Sequence, residues 1–209
     1  MLTSASDLSL ALVGKELLIF DFDGTIANTA PLHAAAFEKV LSPLGIIVRY
    51  PSIAGLKTAD AISRCANTHG LELTVDQIRG LQDAKQAAVR ELISLELLPI
   101  PDADWFLRWA KQHYHLSMAT AGSLGTVMLS LDKIGFTGWF DPLVCADDVE
   151  RSKPHPDSFL KVLSLTGYHP KQALIFEDSE AGLTAAEAAD VSCIHVNKGS
   201  WTEFRNHVQ

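Results

Sequence analysis

Two carboxylates stand two residues apart in the run Phe20-Asp21-Phe22-Asp23-Gly24-Thr25, directly after the apolar stretch Leu17-Leu18-Ile19-Phe20. Where a buried strand ends and the chain turns, acids so placed are crowded together and repel each other. A hard divalent cation relieves the repulsion, and Mg2+ is well served by one or two carboxylates, retained waters and a phosphate oxygen. Gly24 permits the tight turn that must follow. The residue types and their spacing therefore point to a divalent-cation site at the end of a strand.

The elements that position these acids follow from the apolar pattern. Glu16 to Phe22 carries a short continuous apolar run of the kind buried on both faces of a sheet. Four further runs have the same design: His115 to Thr120, Leu143 to Asp147, Ala173 to Asp178 and Ser192 to Val196. All but the last end in polar residues. Helical patterns lie between them, over Asp102–Gln112, Leu124–Ile134, Pro156–Thr166 and Ala181–Ala189. Strands alternating with helices of this length predict a parallel sheet of βαβ units. The polar strand tips then converge on one edge, where such sheets bind ligands. Residues 1–15 read as a loosely held extension.

The alternation breaks between the first two strands. From about Pro31 to Leu95 the pattern is helical, with segments Pro31–Leu44 and Thr58–His69 and a long helix opened by a capping box at Thr74-x-x-Gln77. The fold class expected is α/β: a Rossmann-like, doubly wound parallel sheet core with an inserted helical cap domain. The core is expected to take residues 1–28 and 97–209, and the cap residues 29–96. Pro99 and Pro101, with Asn28-Thr29, are expected to form the hinge between them.

With the strands in this order, the chain resembles the haloacid dehalogenase superfamily, in particular its phosphoglycolate-phosphatase-like and β-phosphoglucomutase-like members with a helical cap. The resemblance spans about residues 16–197. Asp21-Phe22-Asp23-Gly24-Thr25 looks like the first family motif and Thr120 the second. Lys153, in Arg151-Ser152-Lys153-Pro154-His155-Pro156-Asp157, looks like the third, and Glu177-Asp178 the fourth.

The resemblance implies roles. Asp21 attacks phosphorus and carries a transient aspartyl phosphate. Asp23 protonates the leaving alkoxide, later deprotonates the attacking water, and offers its main-chain carbonyl to the metal. Thr120 and Ala121 bind the phosphoryl group, and Lys153 balances charge on nucleophile and transferring group. Asp178 completes a Mg2+ site with Asp21 and Asp23, while Glu177 is either a ligand or one shell out. The dehalogenase members as a rule lack the second aspartate, so Asp23 favours phosphorus over carbon as the electrophile.

In the cap, His33 and Lys57 are the candidate substrate contacts, Lys57 within a loop Ile53-Ala54-Gly55-Leu56-Lys57-Thr58 similar to the family's specificity loop. A mutase is expected to carry an arginine where Thr58 stands, and a Lys-Asn pair where Ser123-Leu124 stands. Both departures favour a phosphatase acting on a sugar phosphate or similar small metabolite over a hexose-phosphate mutase. A sensor that binds a phosphorylated ligand without turning it over is the reading from another class. The hinge carries Asn28-Thr29 in place of the commoner Asp-Thr.

Composition limits the alternatives. The formal net charge of −8 argues against nucleic acid as a partner. Cys65, Cys145 and Cys193 are too scattered for a disulfide framework or a zinc site. His113, His115, His155, His169 and His195 form no ligand set, and His195 reads as a satisfied core residue. Trp201 is expected to cover the edge of the sheet. With no signal-like or membrane-spanning stretch, a cytoplasmic monomer with no membrane partner is the expectation.

Overall fold

Strand β1 (Leu17–Phe20) sits at the centre of the sheet with all four side chains buried. The computed structural model of the chain describes residues 5–54 and 56–208, so Gly55 of the proposed specificity loop lies outside the described residues. Strands β2 (His115–Ala119), β3 (Leu143–Val144), β4 (Ala173–Glu177) and β5 (Ser192–His195) complete a five-stranded sheet in the order β3-β2-β1-β4-β5. Every neighbouring pair is parallel.

Helix α1 (Ala5–Ala11) precedes β1. Helices α2 (Ala30–Leu41), α3 (Thr58–Thr68), α4 (Val75–Glu96) and α5 (Ala103–Ala110) lie between β1 and β2. Then α6 (Leu124–Ile134), α7 (Asp157–Thr166) and α8 (Glu180–Ala188) connect the remaining strands, and α9 (Ser200–Val208) follows β5.

Strand alternation gives the sheet two apolar faces. Leu18, Phe20, Met118 and Phe176 pack with Phe106 of α5, Leu131 of α6 and Trp201 of α9. Leu17, Ile19, Ala119 and Ile175 pack with Phe159 of α7 and Ala185 of α8. Helices thus cover both sides, as a doubly wound sheet requires. The parallel arrangement brings Asp21, Thr120 and Asp178 to one edge, each just beyond its strand.

The insertion leaves after β1 and returns before α5 through a short antiparallel hinge. Ala27 pairs with Pro99, the Asn28 N–H donates to Leu98 O (3.0 Å) and the Ile100 N–H to Ile26 O (2.8 Å). Pro101 lies in the turn beyond. The insertion has its own small core of Phe37, Leu41, Ile53, Ile62 and Cys65. The capping box of α4 forms as expected: Thr74 Oγ1 accepts from the Gln77 N–H (3.3 Å), and Gln77 Oε1 accepts from the Thr74 N–H (2.8 Å).

Three expectations need correction. The segment before β1 is not a loose extension over its described part: α1 docks against α9, burying Leu8 and Ala11 in the core. Trp201 covers the middle of the sheet rather than its edge, with ring centroids 4.8 Å from Phe106 and 5.4 Å from Phe176. Its indole N–H donates to Thr25 O (2.8 Å), fixing the turn that follows β1. The third strand is cut to two residues because its acidic end folds back on main-chain donors: Asp148 Oδ2 accepts from the Cys145 N–H (2.8 Å) and Asp147 Oδ2 from the Leu124 N–H (3.2 Å).

Candidate active site

The first polar residue after β1 is Asp21, whose N–H continues the ladder to Phe176 O (3.0 Å). Its carboxylate is buried and meets Lys153 from the loop before α7: Lys153 Nζ donates to Asp21 Oδ1 (2.7 Å), Glu177 Oε1 (2.7 Å) and Ala119 O (3.0 Å). Three acceptors saturate the ammonium. Burial alone would lower the lysine, but the two carboxylates outweigh it and hold its pKa above the ordinary value.

Glu177 ends β4 and is fully engaged. Its Oε2 accepts from the N–H (2.7 Å) and hydroxyl (3.1 Å) of Ser179, whose Oγ in turn caps α8 by accepting from the Gly182 N–H (3.0 Å). A Cβ at position 182 would fall on the Glu177 carboxylate, so the helix approaches this closely only with glycine there.

Asp178 completes an acidic cluster: one carboxylate oxygen each from Asp21, Glu177 and Asp178 lie within 4.8 Å of one another. Thr25 Oγ1 donates to Asp178 Oδ1 (3.3 Å), and a side chain at Gly24, whose φ is +92°, would collide with the same carboxylate. Burial, followed by Glu177, pushes Asp178 up to about 7. Burial also raises Asp21 well above the ordinary carboxylate range, with Glu177, Asp178 and Asp23 adding to it against Lys153. Three carboxylates stand together here, and the one ammonium among them contacts only Asp21 and Glu177. The donor set is hard, anionic oxygen, and a divalent cation fits it on charge and ligand chemistry.

Thr120 and Ala121 follow β2. The Thr120 hydroxyl is buried and accepts from the Gly122 N–H (3.0 Å). An added Cβ at Gly122 would stand 3.4 Å from Thr120 Oγ1 and 3.6 Å from Asp23 Oδ2, so the hydroxyl and the Asp23 carboxylate flank one point. The Asp23 carboxylate is outside the acidic cluster and faces the insertion, with its Oδ1 3.8 Å from His33 Nε2.

His33, on α2, is held by a residue that sequence reasoning missed. Lys85 of α4, only 2% exposed, donates from Nζ to His33 Nδ1 (3.0 Å) and stands 4.7 Å over the Phe37 ring. Burial lowers His33 to about 4, with Lys85 reinforcing and Asp23 opposing. It lowers Lys85 to about 8, which Asp23 resists. A neutral imidazole that accepts at Nδ1 must carry its proton on Nε2, facing Asp23. The sequence does hold a signal for Lys85, because it interrupts the apolar stripe of Ile78, Leu81 and Val89. Tyr50 was missed as well. Its phenol lines the cavity and is pushed upward by burial, then by Asp23, Asp178 and Asp21.

Lys57 spans from the insertion to the core, its Nζ donating to Glu150 O (3.1 Å) and Val149 O (3.5 Å) in the loop that leads to Lys153. Asp21, Asp23, Lys153, Glu177 and Asp178 from the core and His33, Tyr50, Lys57 and Lys85 from the insertion line one cavity of about 260 Å3, which Thr120 does not line. His195 stays outside it and is satisfied by Asp178 O (3.2 Å). Cys65, Cys145 and Cys193 are unpaired. Among the described residues no helix is long and apolar enough to cross a membrane.

Comparison with known proteins gives this arrangement a setting. A model of haloacid dehalogenase-like hydrolases matches residues 18–196. Fructose-1-phosphate phosphatase YqaB of Escherichia coli is 30% identical over 179 residues, which span 86% of this chain and 95% of that protein. A phosphoglycolate phosphatase of Pseudomonas putida is 30% identical over 88% of this chain and 70% of its own length. Among solved structures, CbbY of Rhodobacter sphaeroides in complex with xylulose-(1,5)bisphosphate is 26% identical, with a TM-score of 0.80 over 88% of this chain and 86% of that one. A β-phosphoglucomutase of Clostridium difficile, 22% identical with a TM-score of 0.78 over 90% of this chain and 88% of that one, shares the fold.

Proposed function

We propose, for a chain that belongs to the haloacid dehalogenase-like hydrolases, that this cavity hydrolyses the phosphate ester of a small sugar-like metabolite with Asp21 as nucleophile. The observation that carries the reading is the Lys153 ammonium clamped between Asp21 and Glu177. It fixes one oxygen of Asp21, a residue that lines the cavity, and makes no bond to the other. Relatives named as phosphatases of fructose 1-phosphate and of phosphoglycolate support the substrate class.

In the first step an Asp21 oxygen bonds to phosphorus, the ester bond breaks, and Asp23 gives its proton to the departing alkoxide. In the second, Asp23 takes a proton from water, whose oxygen attacks the aspartyl phosphate to release inorganic phosphate and restore Asp21. Thr120 and Ala121 hold phosphoryl oxygens, and Lys153 balances the charge that gathers on them. His33, held by Lys85, presents Nε2–H toward Asp23 and steadies its carboxylate.

Mg2+ would be held by the carboxylates of Asp21 and Asp178 and the main-chain carbonyl of Asp23, with Glu177 one shell out because both its oxygens are engaged. When bound it supplies positive charge for the phosphoryl oxygens. Residues 29–96 are the cap and 1–28 with 97–209 the core in this reading, and Lys57 contacts substrate from the cap side. The unpaired cysteines support a reducing, cytoplasmic setting.

The test is phosphate release from p-nitrophenyl phosphate and a panel of sugar phosphates with Mg2+. Asp21→Asn is expected to lower kcat by at least about 1,000-fold while the fold is retained. Wild type and variant equally inactive, with a sugar phosphate still bound, would favour a sensor. Isomer conversion without net phosphate release would favour a mutase.

A further inference from the structure

We infer that the wall where α4 meets the first turn of α6 is built for the uncharged, hydroxyl-bearing body of a monophosphate and rejects a second phosphate. This rests on the phosphatase reading above and assigns roles to residues outside it, chiefly Gln82, Gln86 and Asp147.

Charge is the first argument. Five carboxylates line the cavity, from Asp21, Asp23, Asp147, Glu177 and Asp178, against the ammonium groups of Lys57, Lys85 and Lys153. One divalent cation brings that set to neutrality, so the reacting phosphate already makes the cavity anionic and a second dianion would add to that charge. Two of the three lysines are also held within the site, and Lys57 is held where the insertion meets the core. Lys153 is taken by Asp21 and Glu177, Lys85 by His33, and Lys57 by the carbonyls of Val149 and Glu150.

The wall itself is the second argument. To the cavity it offers neutral polar groups, with the Arg90 guanidinium behind them on Thr126 Oγ1 (3.4 Å) and outside the lining: Gln86 Oε1 accepts from Thr126 Oγ1 (3.0 Å) and Ser123 Oγ (3.5 Å), and Ser123 Oγ lies 3.1 Å from Thr126 Oγ1. This network pins the Gln86 carbonyl and leaves its NH2 group as donor. Gln82, one turn earlier on α4, also lines the cavity, and its amide can both give and accept hydrogen bonds, as a sugar hydroxyl needs.

The N-terminus of α6 is the third. Its amide groups would suit an anion, yet Asp147 Oδ2 already accepts from the Leu124 N–H (3.2 Å). A second phosphate arriving there would meet a carboxylate in place of a donor. Neutral hydroxyls lose nothing by it.

Steady-state kinetics on matched pairs tests this: fructose 1-phosphate with fructose 1,6-bisphosphate, and glucose 6-phosphate with glucose 1,6-bisphosphate. p-Nitrophenyl phosphate serves as a reference without a sugar body, and Ki against it replaces kcat/KM for any compound not turned over. Each monophosphate is expected to be favoured by at least about 30-fold over its bisphosphate. Asp147→Asn is expected to narrow that gap about threefold or more, the modest effect of a charge at an exposed rim. Gln82→Leu is expected to lower the ratio of sugar phosphate to aryl phosphate kcat/KM by about tenfold. Bisphosphates handled as well as monophosphates, while p-nitrophenyl phosphate is turned over, would overturn the inference alone. No turnover of any phosphate would remove the phosphatase reading and this inference with it.

Discussion

Lys85 illustrates how one buried side chain sets the state of two others. A lysine almost wholly removed from water needs a partner to remain charged, and here the partner is His33 Nδ1. That bond decides the imidazole tautomer and turns Nε2–H toward Asp23. In Lys85→Met the ring is released and loses a neighbouring cation that depresses it. His33 should then titrate above its present value of about 4 by NMR, and kcat should fall about 10- to 100-fold with a smaller change in KM. An unchanged kcat would remove the pair from the chemistry. Asp21 and Asp178 were legible in the sequence because each is tied to the end of an apolar run, and Lys153 because it opens the run Lys153-Pro154-His155-Pro156-Asp157. Lys85 and Tyr50 were not, since their relevance arises from contacts across the cavity, the first with a residue 52 positions away.

At the scale of elements, the close fit of α8 against the end of β4 is what holds the Lys153 clamp. Glu177 reaches over the first turn of α8, engaging Ser179 on one oxygen and Lys153 on the other. Gly182→Ala places a methyl group on that carboxylate. The displaced Glu177 would cost Lys153 one of its three acceptors and Ser179 the carboxylate it donates to, so a loss of about 2–4 kcal/mol is expected in chemical denaturation. Phosphatase activity should fall by more than stability alone accounts for, and an active, fully stable variant would refute the clamp. The strands and most helices were readable from period and capping, as at Thr74-x-x-Gln77. The short β3 was not, because its acidic end is captured by main-chain donors that periodicity does not register. Helix α1 was missed for a related reason: its few apolar residues acquire meaning only once α9 supplies a face to bury them.

The whole molecule is a parallel sheet with an acidic edge, closed over by a helical insertion that meets the core through Lys57, Gln86 and Arg90. Concentrating acids at that edge has a cost in stability that depends on pH. Asp178 is raised to about 7 in the folded chain, against about 3.9 when unfolded. Between those values the folded state holds the proton more tightly, so metal-free stability falls as pH rises through this window and is lowest above it. Mg2+ requires the ionised carboxylate, so the rise in Tm between EDTA and Mg2+ should be larger at about pH 8 than at about pH 5.5. A rise independent of pH would contradict the assignment of Asp178 to the metal. All of these features converge on Asp21, and the most direct measurement looks for the bond it is said to form. Wild-type protein turning over a sugar phosphate with Mg2+ is quenched with borohydride, which reduces an aspartyl phosphate to homoserine, and the digested peptides are weighed by mass spectrometry. Homoserine at position 21, absent when substrate is omitted, is the expected result; efficient turnover with Asp21 unmodified, or with the modification at Asp23, would contradict the account.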